Sequence, residues 1–342
     1  MLETDFAKHR LNVGLIAENT IAMVHSARLL GETPDIISFL MAEAHIGGAM
    51  ATAEWLLTRP KTPLREALLE RIQTALHAHY LIDRTWARTL RAKRLADEGL
   101  LALSFEPESP GTLTPRGRHV MGSIFDDQKW LTGKGQIGRF VQPEPPATDA
   151  QFAPIPEQLR VYRSVMDLFE RELASQRDQA LPALESARLF REFAERDDAD
   201  RIAPALSMFS LADTYLMLEL HSEAQKRAIL VTLGVFRHHA RHGGWPALLE
   251  LIDEDLLPID PIDPYTGEHF GYSVKDGLPI IWSAGPDRDD DGGRPFEPID
   301  ADVLGWPSGM AWFTLNEWEA MTPEQRAPFD GDIVHFPPAS ND

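Results

Sequence analysis

Phe270-Gly271-Tyr272-Ser273-Val274-Lys275-Asp276-Gly277-Leu278-Pro279-Ile280-Ile281-Trp282-Ser283-Ala284 is where the chain changes period. Phe270, Tyr272 and Val274 alternate with Gly271 and Ser273, and Leu278, Ile280, Trp282 and Ala284 alternate on the return. A period of two is the signature of a strand, and Lys275-Asp276-Gly277 predicts a three-residue connection closed by glycine. Asp332 to Phe336 offers a third strand. A hairpin alone is marginal in water, so this one must pack on the helix that precedes it.

Upstream of Pro258 the period is helical. Asn12 to Leu30 carries Val13, Ile16, Ile21, Val24, Ala27 and Leu30 on helical spacing, with Gly31 as its stop. Ile36 to Leu57 follows Pro34 and ends before Pro60, and Pro63 opens a third helix running towards Leu95. Residues 104–156 are rich in proline and glycine and read as a long connection, with a short helix near Val120 to Trp130. Helical pattern resumes at Glu157 to Leu173 and Leu181 to Glu195. It then runs from about Ala199 to His242 and stops at Gly243-Gly244, with a short helix at Ala247 to Ile252 after Trp245-Pro246. The expected architecture is mainly α, an α+β chain: a bundle-like helical body with a small C-terminal antiparallel three-strand module and an acidic metal loop. Four regions are expected: 1–103 helical, 104–156 connection, 157–257 helical with a long helix, and 258–342 the strand module.

The 342 residues hold 43% hydrophobic and 25% charged side chains, the balance of a folded globular protein. Cysteine is absent, which excludes disulfides, thiolate metal sites and cysteine nucleophiles. The net charge of −20 argues against nucleic acid and anionic membrane as partners. That charge is uneven. From Glu250 onward there are 21 acidic residues and four basic ones, whereas the first 249 residues are nearly balanced. Aromatic residues, among them Trp282, Trp306, Trp312 and Trp318, run through the acidic end, so it folds rather than trails as a solvated tail. Met1 is followed by no basic start and apolar run. The most apolar stretch, Ile36 to Leu57, is broken by Glu43, His45 and Glu54 and reads as a core helix.

The acidity is sharpest at Asp287-Arg288-Asp289-Asp290-Asp291-Gly292-Gly293. Alternate residues of a tight turn deliver several oxygens to one point, which is what calcium requires. Position 12 is Pro298 rather than glutamate, and a strand precedes the loop, so it is not a helix–loop–helix calcium site. Asp287, Asp289, Asp291 and Asp332 are the expected ligands, with backbone carbonyls near Ala284. Glu297, Asp300 and Asp302 are further candidates to complete the set, and Asp290 is expected to point away.

These residues also carry a resemblance. His242-Gly243-Gly244-Trp245-Pro246, Pro261-Ile262-Asp263-Pro264-Tyr265-Thr266-Gly267, Trp282-Ser283-Ala284-Gly285-Pro286-Asp287, Asp291-Gly292-Gly293 and Gly331-Asp332-Ile333-Val334 stand in that order. The order resembles the C-terminal half of type II secretion major pseudopilins, and still more a set of uncharacterised bacterial envelope proteins with the same ending. It covers about residues 212–336. The resemblance implies calcium on Asp287, Asp291 and Asp332, and on Asp289. It also implies an extracytoplasmic setting, protein partners in the envelope, and membrane attachment only through an anchor outside this chain. The apolar N-terminal helix of pseudopilins is missing and Gly305 to Asp330 is inserted, departures that bear on filament assembly. The resemblance supplies no reaction, and a non-catalytic protein acting through protein contacts is the expectation.

The alternative is a helical-bundle metalloenzyme or hydrolase. His238 and His242 lie four apart on one helix face, a metal-ligand spacing, but Arg237 and Arg241 flank them and oppose a cation. Glu43 and His45 read as a polar pair satisfied within the core. Gly133-Lys134-Gly135-Gln136-Ile137-Gly138 has dinucleotide-loop spacing without a preceding strand and reads as a loop.

Overall fold

The computed structural model describes residues 13–32, 36–58, 66–82, 85–109, 111–119, 152–175, 196–208, 212–285, 288–295 and 331–337, with 189, 192, 193 and 322 besides. The helices are α1 (Val13–Gly31), α2 (Ile36–Leu57), α3 (Glu66–Ile82), α4 (Thr85–Ser104), α5 (Ile155–Ser175), α6 (Ala199–Ser207) and α7 (Ala212–His242). A 3-10 turn, Leu249–Leu251, and strands β1 (Gly271–Lys275), β2 (Leu278–Ser283) and β3 (Ile333–Phe336) complete them. The protein is thus mostly helical with one small antiparallel sheet, as the change of period predicts.

Some boundaries differ from the sequence reading. The helix expected from Pro63 to Leu95 is two helices, one ending at Ile82 and the next starting at Thr85. The run from Ala199 to His242 is likewise two, and only Leu249–Leu251 of the short helix at 247–252 is wound. Val120 to Trp130, Gly133 to Gly138 and most of Leu181 to Glu195 lie outside the described residues.

The chain divides into two compact units. The first comprises Met1–Thr89, Leu220–Phe296 and Asp330–Asp342, and the second Leu90–Glu219 and Glu297–Phe329. In the first unit α1 buries Ile16, Ala17, Thr20, Val24, Ala27 and Gly31 against α2 and α3. Those positions recur every third or fourth residue, so they form one stripe of the helix. The C-terminal half of α7 behaves differently: from Ala228 to Phe236 nearly every side chain is buried, as for a helix enclosed on all sides. Several of its polar groups are paired. Thr232 donates to the Ala228 carbonyl at 2.7 Å, and Arg237 donates to Gln73 at 2.6 Å. Gln73 in turn donates to the Leu230 and Leu256 carbonyls. Lys226 bonds Glu43 of α2 at 3.0 Å, and Ser222 donates to the same carboxylate. Glu43 is therefore paired across helices, and His45 instead bonds the Met41 carbonyl one turn back. Each is satisfied, by other partners rather than by the other.

The sheet has the order β1-β2-β3, both pairings antiparallel. Lys275 pairs with Leu278, so the connection is the two residues Asp276 and Gly277, not three. Their φ values of 54° and 80° are those of a type I′ turn, whose twist suits a hairpin and which Asp-Gly favours. Ile281 of β2 and Phe336 of β3 are fully buried in the helical core, and Phe336 meets Phe236 of α7 edge-on at 5.3 Å. Ile281 is one position out of phase with the Leu278–Ile280–Trp282–Ala284 alternation. Trp282, on the other face, is buried as well. A register shift between Ile281 and Trp282 accompanies this change.

The second unit is built on α4, α5 and α6. Tyr162 of α5 donates to the largely buried Asp97 of α4 at 2.8 Å, and burial, with that carboxylate beside it, pushes the phenol well up. Gln158 bridges one turn within α6, accepting from Ala205 N and donating to the Arg201 carbonyl.

Candidate metal centre

The acidic loop is positioned from below by Asp263. The Asp-Pro-Tyr-Thr-Gly turn buries this carboxylate, which accepts from Ser283 Oγ at 2.8 and 2.9 Å, Ala284 N at 3.0 Å and Tyr265 N at 2.9 Å. Burial raises its pKa, and the N–H and O–H donors oppose that rise. Asp263 thereby ties the turn to the end of β2, and Gly285, at φ 73°, redirects the chain towards the loop. The sequence signal for Asp263 was its place at the head of a turn motif, where a short carboxylate bonds backbone N–H groups two residues on.

From above, the loop rests on Trp282. A Cβ on Gly271 would sit 2.0 Å from the Trp282 ring, and one on Gly293 would sit 3.1 Å from it. The indole is thus flanked by two glycines that leave it room. Its Nε1–H donates to Asp290 Oδ1 at 2.8 Å, and Gly292 N donates to the same oxygen at 2.9 Å. Asp290 is engaged with the strand module rather than pointing away, which corrects the expectation from alternation.

The loop is stitched to the start of β3 by Asp332. That residue is fully buried; Oδ1 accepts from Asp291 N at 3.3 Å and Oδ2 from Gly293 N at 2.7 Å. Its own N–H donates to the Arg294 carbonyl at 2.8 Å. Burial pushes the Asp332 pKa up to about 6; Asp290 and Asp291 add to the rise, and the two backbone donors oppose it. Asp291 Oδ1 is paired with Arg294, whereas its Oδ2 is buried with no hydrogen-bond partner among the described residues. Of the expected ligands the structure brings Asp291 and Asp332 together. Asp289 is exposed on the same loop. Asp287, Glu297, Asp300 and Asp302 lie outside the described residues.

The donor set fits a hard cation. It is all oxygen, it is anionic, and it includes a buried carboxylate oxygen with no partner. Loss of charge repulsion at Asp332 is what such an ion would provide.

A second group lies where α7 ends. His238, His242 and Asp253 place one ligand atom each within 4.8 Å of one another. Among the described residues no helix is long and apolar enough to cross a membrane. No protein-family model, curated protein or solved structure matches this chain.

Proposed function

We propose that this is a non-catalytic, envelope-associated protein that works through protein contacts, with a pseudopilin-like C-terminal module stabilised by calcium. The observation that carries the calcium reading is the meeting of Asp291 and Asp332, with Asp291 Oδ2 buried and unsatisfied beside a desolvated Asp332. Asp291 and Asp332 would hold the ion, with Asp289 and Asp287 completing the oxygen set. Calcium would supply charge neutralisation and pin the loop to β3; it would carry out no chemistry. The envelope setting rests on the resemblance of residues 212–336, and a weak site suits it, since extracellular calcium modules work at about 10⁻⁴–10⁻³ M.

Thermal melting in chelator and in calcium tests the reading. Calcium at a hundredfold excess over Kd adds about 2.7 kcal/mol of stability, which raises the Tm by several degrees. Asp291→Ala and Asp332→Asn abolish that rise, and Glu254→Gln, an exposed change elsewhere, leaves it intact. Equal melting temperatures in chelator and calcium for the unmodified protein would refute the site.

A further inference from the structure

We propose that His238, His242 and Asp253 form a second metal site, for zinc or a similar borderline divalent cation, with three protein ligands and a fourth position open to solvent. The ligand types and number are those of open zinc centres, two imidazoles and a carboxylate. His238 and His242 lie one helical turn apart at the end of α7, their ring centroids 4.5 Å apart. Asp253 comes from the loop after the 3-10 turn, and its Oδ2 is 3.0 Å from His242 Nε2. Zinc bonds of about 2.0–2.1 Å in a tetrahedron set neighbouring ligand atoms about 3.3 Å apart, close to this spacing.

An ordinary ion pair accounts for His242 and Asp253 but not for His238. Its Nδ1 is buried with no hydrogen-bond partner among the described residues. The flanking arginines, which in the sequence oppose a cation, are already compensated. Arg237 is directed to Gln73, with Glu70 at 3.6 Å and Glu66 at 3.9 Å. Arg241 bonds Glu66 at 2.6 Å and Asp255 at 2.9 Å, and touches Asp253 only at 3.4 Å. A metal here would clamp the last turn of α7 to the loop beyond Gly243-Gly244-Trp245-Pro246. The nitrogen ligands select a softer ion than the all-oxygen loop, so the inference stands apart from the calcium reading.

The experiment is zinc titration of untagged protein by calorimetry, with cobalt(II) absorption as the readout of tetrahedral nitrogen and oxygen ligation. One equivalent binds, with an intense cobalt band in the visible. His242→Ala and Asp253→Asn each weaken zinc by more than about tenfold, since even outer-shell changes at metal sites cost ten- to a hundredfold. His239→Ala and Glu254→Gln, neighbours outside the ligand set, leave affinity unchanged. Unaltered melting curves of the apo variants show that they fold. Absence of saturable zinc uptake overturns the proposal, as does uptake that survives His242→Ala. An equal loss in Glu254→Gln would also overturn it, by showing diffuse attraction to acidic charge.

Discussion

Trp282 is the residue on which the acidic loop depends. Its ring fills the space left by Gly271 and Gly293, and its N–H holds Asp290. Gly271→Ala places a methyl where the indole lies, so the ring must leave or the strands must part. A loss of about 1–3 kcal/mol is expected, the usual cost of overpacking. With the indole displaced, the Trp282 N–H resonance, assigned by its absence in Trp282→Phe, moves towards the position of a free indole. An unshifted resonance and unchanged Tm in Gly271→Ala would show that the ring does not need the glycine. The aspartate run was legible from sequence because charge and spacing are local. The inward turn of Asp290 was not, because it depends on the chain folding back over Trp282 after β2 ends. Asp253 was equally hidden: nothing in the spacing of 11 residues from His242 foretells that a corner brings the two together.

At the scale of elements, the corner after α7 joins the helices to the sheet. Gly243, at φ 75°, donates to the His239 carbonyl at 2.8 Å and ends the helix in the left-handed conformation that glycine tolerates. Trp245 then stacks on His239 at 4.0 Å, meets Phe236 edge-on, and donates to the Gly277 carbonyl of the hairpin turn at 2.8 Å. Trp245→Ala removes all three contacts from a half-buried ring. A loss of about 2–3 kcal/mol is expected, short of the largest values for fully buried aromatics. Calorimetric or chemical denaturation checks it, and an unchanged stability would deny the corner any role in docking. This corner was readable because glycine and proline announce their own geometry. Ile36–Leu57 was readable to the residue because its flanking prolines bound it. The break between Ile82 and Thr85 was not: neither glycine nor proline stands at Asp83-Arg84, and apolar period continues on both sides.

For the whole molecule, buried titratable groups set opposing pH responses. Burial lowers His221 to about 4, and burial together with neighbouring His221 lowers His335 to about 3. Unfolded chain takes up protons on both below about 6.5, while the folded protein resists. Their contribution is complete above pH 6.5 and is lost as pH falls towards 3. Glu54 on α2 has the reverse sign: burial raises it to about 7. Its contribution is complete below the ordinary carboxylate range and is lost as pH rises through 7. Glu54→Gln should therefore raise the Tm at pH 8 and change it little at pH 5. A gain that is the same at both pH values would mean that Glu54 does not titrate as a buried acid.

The first unit draws residues from three separated stretches, and its last strand is β3. During synthesis α1, α2 and α3 are made well before Phe336, which is wholly enclosed in their core. The second unit can close while the first still waits for its final strand, because long-range strand pairing comes after local helix formation. A nascent chain halted before Ile333 would carry a protease-sensitive first unit beside a resistant second one. Completion of the sheet therefore waits on β3, which is made after every other element of its unit.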